Sequence, residues 1–132
     1  MVSLQNVLLE DTIDFKVPVN QGRVVKVYDG DTFTIAAFVL EKWYRFSVRI
    51  NGIDSPERRG KSAEEKHAAT VSGDALSALI YHKVVELRDI GHDKYGRILA
   101  TVMLGDVDVA KYMLENKYAV PYDGGKKAAF SV

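Results

Sequence analysis

The chain has 132 residues, of which 47% are hydrophobic and 27% are charged, as is typical of a single soluble globular domain. No run approaches the roughly 20 consecutive apolar residues of a membrane span, and the absence of cysteine excludes disulfides and thiolate metal sites. Because 18 acidic residues balance 18 basic ones, the charge sum alone gives no support to a nucleic-acid binder, which usually carries a basic surplus.

The first half of the chain has the pattern of β-strands. Alternating apolar residues predict a strand over 12–19, which Pro18 restricts to a sheet edge or a strand end. Asp29-Gly30-Asp31 is typical of a tight turn in which glycine adopts a positive φ. Strands are also predicted over 23–28, 32–40 and 43–50, because these segments are rich in β-branched and aromatic residues.

The second half mixes helices and strands. Ser62 followed by Glu65 fits a capping box, and apolar residues at three- and four-residue steps predict an amphipathic helix whose inner stripe is Ala68, Val71, Ala75, Leu76, Leu79 and Ile80. Strands are predicted over 84–89, 97–104 and 118–122, with a second helix over 108–117.

This order of elements predicts an α+β, mainly β fold. The candidate of suitable size is a five-stranded Greek-key barrel of the oligonucleotide-binding (OB-fold) type with two to three packed helices. We expect residues 1–22 to form an extension with an edge strand, 23–122 the folded domain and 123–132 a flexible tail. Trp43, Met103 and Met113 are assigned to the core.

Three polar segments are hard to explain by packing, and the first is Asp29 to Thr32. A hairpin turn is the commoner explanation of an isolated Asp-Gly-Asp. The functional alternative is that Asp31, at the start of the next strand, directs its carboxylate at a hard cation such as calcium.

The second segment runs from Arg49 to Glu57. Arg49 ends an apolar strand, and Asp54 and Glu57 enclose Ser55-Pro56. Proline holds the residue before it in an extended conformation, and a rigid turn suits metal ligation. An ordinary turn or helix cap explains the segment equally well.

The third segment, Asp93 to Arg97, reads as a solvated hairpin loop except for its arginine. Arg97 begins a strand and could face Arg49 across a pocket, where two planar guanidinium groups would match phosphate oxygens. Carboxylates together with two arginines are the groups that metal-assisted cleavage of a phosphodiester bond requires.

In their order and spacing, VVKVYDGDT (24–32), VRINGIDSPE (48–57) and DKYGR (93–97) resemble the thermonuclease family, the staphylococcal nuclease-like domains. The likeness covers about residues 23–122. It implies that Asp31 and Asp54 bind Ca²⁺ through their carboxylates and Ser55 through its backbone carbonyl, although the family often has Thr at the last position.

The resemblance also implies roles for six further residues. Glu57 would act as general base or orient the attacking water, and Arg49 and Arg97 would bind the scissile phosphate. Substrate-binding residues would be Lys94, Tyr95 and Tyr122. The implied activity is calcium-dependent hydrolysis of single-stranded or locally melted DNA or RNA that leaves 3′-phosphate ends.

Two other interpretations stay open: a catalytically inactive nucleic-acid-binding module on the same barrel, and a purely structural barrel. An inactive copy would be expected to lose an acid or an arginine, whereas all five expected side chains stand here. We expect a monomer with DNA or RNA as partner and no membrane, and a cytoplasmic location because residues 1–15 lack signal-peptide features. Basic residues that could add substrate contacts, or be solvated surface charge, are Arg58, Arg59, Lys61, Lys66, Lys126 and Lys127.

Overall fold

The computed structural model describes residues 3–122, which form eight strands, two α-helices and one short 3₁₀ helix at Leu9–Asp11. The long strands are β1 (Gln21–Asp29), β2 (Thr32–Val39), β3 (Lys42–Ile50), β5 (Val84–His92) and β6 (Ile98–Leu104). Two-residue strands are β4 (Ile53–Asp54), β7 (Val107–Asp108) and β8 (Val120–Pro121). The α-helices are α1 (Ala63–Ile80) and α2 (Val109–Glu115).

The five long strands close into a barrel. β1 pairs antiparallel with β2 and β5, β2 with β3, and β5 with β6, while a parallel pairing of β3 with β6 completes the ring. The predicted α+β fold, an OB-type barrel with two packed helices, is therefore confirmed.

The pairing of β3 with β6, which closes the barrel, brings together the two arginines that are expected to act jointly. Val48 lies opposite Ile98, and Arg49 lies opposite Leu99. Arg97 directly precedes Ile98, so closure of the barrel brings it beside the end of β3, although 47 residues of chain separate it from Arg49.

Alternate residues of the strands fill the barrel. Phe33, Ile35 and Val48 are fully buried, and α1 and α2 contribute further apolar side chains to the same core, among them Leu76, Ile80 and Met113. Met113 is thus a core residue as predicted, and Met103 is half-buried. The assignment of Trp43 to the core is wrong, because its side chain is 72% exposed.

The capping of α1 is partly as predicted. Ser62 Oγ accepts a hydrogen bond from the Glu65 amide at 3.0 Å, but the Glu65 carboxylate accepts from the Lys61 amide at 2.9 Å rather than from Ser62. The buried face of α1 is rotated relative to the predicted apolar stripe. Val71 is 40% exposed, whereas the buried residues are Ala69, Ser72, Gly73, Leu76 and Ile80. Small residues occupy the contact face because α1 packs closely against β1.

The predicted strand over 12–19 is wrong. No strand is present there, and Ile13 and Phe15 are 95% and 76% exposed. β1, the strand that follows this segment, pairs instead with β2 from Arg23 to Asp29 and with β5 over Gln21–Arg23. Only its last residues approach the core, with Val19 buried and Val17 half-buried.

Other predictions lie partly beyond the described residues. The expected flexible tail at 123–132, with Lys126 and Lys127, is outside them. Within residues 3–122, neither helix has the combination of length and apolar character needed to cross a membrane.

Candidate active site

The β1–β2 turn, the end of β3, β4 with the residues after it, and the start of β6 meet around one open cavity of about 320 Å³. All six residues predicted to be catalytic or metal-binding line it, together with Tyr122. The remaining lining residues are Tyr28, Asp29, Thr32, Arg58 and Arg59. The fold thus gathers side chains from three distant motifs at one end of the barrel.

Asp31 is held by donors on both carboxylate oxygens. Thr32 Oγ1 donates to its Oδ1 at 2.9 Å, and the Ser55 amide donates to its Oδ2 at 3.1 Å. Asp31, Asp54 and Ser55 are 6%, 2% and 3% exposed. Burying an ionised carboxylate costs free energy unless charged or polar partners compensate it. The donors around Asp31 supply this compensation and fix the position of its carboxylate.

Gly30 has a different reason for being glycine than the one expected from the turn. Its φ is not positive; a Cβ added there would instead lie 1.8 Å from Ser72 Oγ and 2.9 Å from the Ser55 Cβ. The turn between β1 and β2 is therefore pressed between α1 and the residue after β4. Glycine allows Asp31 to enter a buried site beside this helix.

Arg49 joins the two buried acids. Its Nη2 lies 3.5 Å from Asp31 Oδ2 and 3.4 Å from Asp54 Oδ1, while Nη1 donates to the Ile53 carbonyl at 3.1 Å. The guanidinium carbon lies 5.1 Å from the centroid of the Tyr122 ring. A planar fork of donors makes all these contacts at once, which a lysine ammonium cannot do.

Arg97 is oriented by its own turn. Asp93 Oδ1 accepts from the amides of Tyr95 and Arg97, both at 2.9 Å, and Asp93 Oδ2 accepts from Arg97 Nε at 2.6 Å. Burial is the largest influence on the Asp93 carboxyl and raises its pKa, but the Arg97 and Tyr95 donors and the Arg97 charge together hold that pKa below the usual value. Asp93 is thus an ionised anchor for the arginine that enters the cavity.

Asp29 and Asp31 interact as a pair of acids. Burial, with the hydrogen bond and charge of Asp31, raises the pKa of Asp29 to about 7. Burial also acts to raise the pKa of Asp31, but the hydrogen bond with Asp29, the Arg49 charge and the Ser55 and Thr32 donors lower it overall. Near neutral pH, Asp31 is therefore ionised beside a partly protonated Asp29.

Acidic and basic side chains line the cavity in equal number. Four carboxylic acids, Asp29, Asp31, Asp54 and Glu57, stand against four arginines, Arg49, Arg58, Arg59 and Arg97. Glu57 and the two arginines after it are exposed at the opening, whereas Asp31 and Asp54 are at the buried side. The site therefore separates its most buried acids from an exposed acid that can reach water.

Lys94 and Tyr95 line a neighbouring cavity of about 630 Å³, with Asn51, Gly52, Asp93 and Leu99. Arg49, Arg97 and Tyr122 line both cavities, so the two are adjacent. Tyr122 is positioned by β8, which pairs with β4, and by its amide, which donates to the Gly52 carbonyl at 2.9 Å. Tyr95 is 74% exposed, with Lys94 Nζ 5.2 Å from its ring centroid.

Sequence reasoning missed two residues of the site. Thr32 supports Asp31 by its hydroxyl, and Tyr28 carries the Arg58 guanidinium carbon 5.3 Å from its ring centroid. Both residues flank the Asp-Gly-Asp turn, and this adjacency is the signal that could have drawn attention to them. Of the basic residues considered as extra contacts, Arg58 and Arg59 line the cavity, whereas Lys61 and Lys66 line neither cavity.

Comparison with known proteins identifies the family. Residues 47–130 match the family model described as staphylococcal nuclease homologue. The chain belongs to this family. The match begins in β3, before Arg49, and includes the residues of the second and third motifs.

Curated relatives agree with the family assignment. A protein of Escherichia coli named "Uncharacterized endonuclease" is 31% identical over 103 residues, which are 77% of this chain and 61% of the relative. One of the same name from Haemophilus influenzae is 35% identical over 104 residues, 78% of this chain and 53% of the relative. The chain thus spans about half to three fifths of the length of these relatives.

Proposed function

We propose that this chain is a calcium-dependent phosphodiesterase that hydrolyses single-stranded or locally melted DNA or RNA and leaves 3′-phosphate ends. The observation that carries the proposal is the convergence of Asp31 and Asp54 on the Arg49 guanidinium, with Glu57 and Arg97 lining the same cavity. Membership of a nuclease family supports it. One chain supplies every group, so the enzyme would act as a monomer.

The donor set fits a hard divalent cation. Ca²⁺ is bound in proteins by six to eight oxygen ligands, including carboxylates, carbonyls and waters. Asp31 and Asp54 each approach the same guanidinium nitrogen within 3.5 Å, so their oxygens lie within reach of one common point. The Ser55 carbonyl is the third ligand we propose, since its amide already donates to Asp31.

The two carboxylates and one carbonyl leave the remaining coordination positions to water and phosphate oxygens. Within residues 3–122, no group of three His, Cys, Asp or Glu side chains forms a metal cluster. When bound, the cation would neutralise phosphate charge and polarise the phosphorus centre. Because residues 3–122 contain no such three-side-chain cluster, the site that we propose is not a cage made only of carboxylates.

The chain's own residues would carry out the remaining chemistry. Glu57, exposed at the opening, accepts a proton from the attacking water. Oxygen of that water forms a bond to phosphorus, the P–O5′ bond breaks, and the leaving 5′ oxygen takes a proton from solvent. Arg49 and Arg97 donate to the phosphate oxygens, on which charge accumulates in the transition state.

The experiment compares Glu57→Gln and Glu57→Asp with the wild type on a labelled single-stranded 16-mer in calcium. General-base catalysis contributes about 10²–10⁴-fold, so we expect Glu57→Gln to lose at least about 100-fold in kcat. Glu57→Asp should also lose activity, because its shorter arm misplaces the water. Lys111→Glu, on the exposed side of α2, is the control and should cleave normally. Wild-type turnover in both Glu57 variants would remove Glu57 from this role.

A further inference from the structure

Two serine hydroxyls are buried beside the proposed cation site without a hydrogen-bond partner. Ser72 lies on the face of α1 that packs against β1, and Ser55 directly follows β4. The two residues are 1% and 3% exposed, and within residues 3–122 neither Oγ atom is hydrogen bonded. A buried polar group without a partner destabilises the folded state. Two such groups together therefore call for an explanation beyond packing.

Helix α1 does not force the Ser72 hydroxyl into this position. A serine or threonine inside a helix can donate its hydroxyl to the carbonyl four residues earlier. Thr70 does so, with its Oγ1 3.1 Å from the Lys66 carbonyl oxygen. The Ser72 hydroxyl instead points out of the helix, against the backbone of Gly30. Its lack of a partner therefore results from its direction toward the β1–β2 turn.

The two serines border one gap at Gly30. A Cβ built on Gly30 would overlap Ser72 Oγ and lie 2.9 Å from the Ser55 Cβ. The missing side chain of this glycine thus leaves the space between the two serines open. On one side of the gap, the Ser55 amide donates to Asp31 Oδ2 at 3.1 Å. The gap therefore lies directly behind two of the residues that we propose as cation ligands.

We propose that Ser72 and Ser55 form a hydrogen bond with each other across Gly30 when the cation is bound, which makes Ser72 a positioning residue of the active site. The inference rests on the proposed function, since it concerns the same cation site. Because Ser55 and Asp31 are both proposed ligands, ligation fixes the residue after β4 relative to the β1–β2 turn. The new bond then ties Ser55 to α1, although Ser72 itself does not touch the cation.

This arrangement gives the two hydroxyls opposite effects in the two states of the protein. Without the cation, each is desolvated and lacks a partner, which costs free energy. With the cation, each supplies the partner of the other. One neutral hydrogen bond changes an equilibrium constant by about five-fold, so the serine pair should tighten cation binding by about that factor. A serine that served only to pack the helix would leave the affinity unchanged.

The test measures calcium affinity and cation-free stability of the whole chain without substrate. The Kd for Ca²⁺ is obtained from the rise of the urea midpoint with calcium concentration, since a ligand that binds only the folded state stabilises it. Ser72→Ala and Ser55→Ala should each raise this Kd about five-fold. In chelator, both variants should be at least as stable as the wild type, because each removes an unpartnered hydroxyl. Thr70→Ala, which removes an exposed hydroxyl from the same helix, is the control and should keep the wild-type Kd.

The double variant Ser55→Ala/Ser72→Ala tests whether the hydroxyls bond to each other. Ser55→Ala keeps the backbone carbonyl that we propose as a ligand and the amide that donates to Asp31. The double variant should bind calcium no more weakly than either single variant, because each single variant already breaks the shared bond. Wild-type affinity in Ser72→Ala would overturn the inference, and so would single losses that multiply in the double variant.

Cleavage of single-stranded DNA separates this inference from the proposed function. Serine-dependent calcium binding without any cleavage by the wild type would reject the nuclease and leave the inference standing. Wild-type calcium affinity in both single variants, in a chain that cleaves DNA, would do the reverse. A wild-type chain that binds no calcium would overturn the inference whatever its activity.

Discussion

Arg49 meets two demands with one side chain. It holds Asp31 and Asp54 together through Nη2 and contacts backbone carbonyls of Ile50 and Ile53 through Nη1. A buried pair of carboxylates would otherwise repel, and each would be costly to keep ionised. The same guanidinium lines the cavity in which we propose that phosphate binds, so structural and chemical requirements coincide.

Replacing Arg49 by Lys should therefore be severe despite the conserved charge. A compact ammonium cannot bond two carboxylates and a carbonyl and also present a fork to phosphate. We expect kcat to fall by about 10²–10³-fold, the effect typical of losing one transition-state donor, measured in calcium at saturating substrate. Unchanged turnover would contradict the phosphate-binding role. Arg88→Lys is the matched control, because Arg88 pairs with Glu86 in an exposed position on β5.

Individual site residues were largely predictable from the sequence. Asp31, Arg49, Asp54, Glu57 and Arg97 stand in three motifs of characteristic spacing, and all of them line one cavity. Tyr28 and Thr32 were missed because one tyrosine and one threonine next to a turn have no distinctive pattern. Their relevance comes from proximity in three dimensions, to Arg58 and to the Asp31 carboxylate.

The contact between α1 and the β1–β2 turn sets the depth of the site. Gly30 lies against Ser72 of α1, whose Oγ is buried and has no hydrogen-bond partner in the described part of the chain. Helix and turn can approach this closely only because Gly30 lacks a side chain and Ser72 is small. The sequence suggested glycine for turn geometry, while the helix contact became visible only in the fold.

Gly30→Ala should destabilise the protein by about 1–3 kcal/mol, the usual cost of overpacking. Because the closest clash is with Ser72 Oγ, introducing Gly30→Ala into a Ser72→Ala background should cost less; residual contacts with the Ser72 and Ser55 Cβ atoms prevent full recovery. Urea unfolding of the four proteins measures the difference. An equal cost in both backgrounds would exclude the hydroxyl clash as the cause.

The Asp93–Arg97 turn depends on an ionised carboxylate. The folded-state pKa of Asp93 lies below its unfolded value of about 3.9, so its contribution to stability is complete above that pH and is lost as the pH falls through the folded-state pKa. We expect Asp93→Asn to be about 1–2 kcal/mol less stable at pH 7 and to approach the wild type in acid.

Denaturant unfolding across pH 2–7 measures this gap for the two proteins. A gap that stays constant down to pH 2 would contradict the role of the charge. At neutral pH the variant should also cleave more slowly, because Arg97 loses the partner of its Nε. Asp106→Asn, in the exposed β6–β7 turn, serves as the control for both measurements.

The barrel as a whole is what turns three weak motifs into one site. Parallel pairing of β3 with β6 brings Arg97 beside Arg49, and β8 on β4 brings Tyr122 over the guanidinium. Neither pairing is local in sequence. The order of the motifs in the sequence suggests these contacts only through resemblance to a known family. The strand pairings of the fold are their physical cause.

Strand periodicity predicted the five barrel strands but failed where alternation did not reflect burial. Residues 12–19 alternate, yet β1 pairs with β2 and β5 rather than with them, and Ile13 and Phe15 remain exposed. Trp43 was assigned to the core, but the pleat of β3 directs it outward with Arg45 and Ser47. Periodicity identifies two faces of a strand, and only the assembled sheet decides which one is inside.

The net charge of zero for the whole chain does not describe how charges are arranged locally. The active-site cavity is lined by four acids and four arginines, and a bound divalent cation would add positive charge there, which favours a polyanionic substrate. The charge sum of the chain therefore conceals the charged residues gathered in this one cavity.

The most direct test is digestion of a 5′-labelled single-stranded DNA by the full chain, with calcium or with excess chelator, followed by end-group analysis. The account predicts fragments with 3′-phosphate ends in calcium and intact substrate with chelator. Binding without cleavage in either condition, cleavage that persists in chelator, or fragments that end in a 3′-hydroxyl would contradict it.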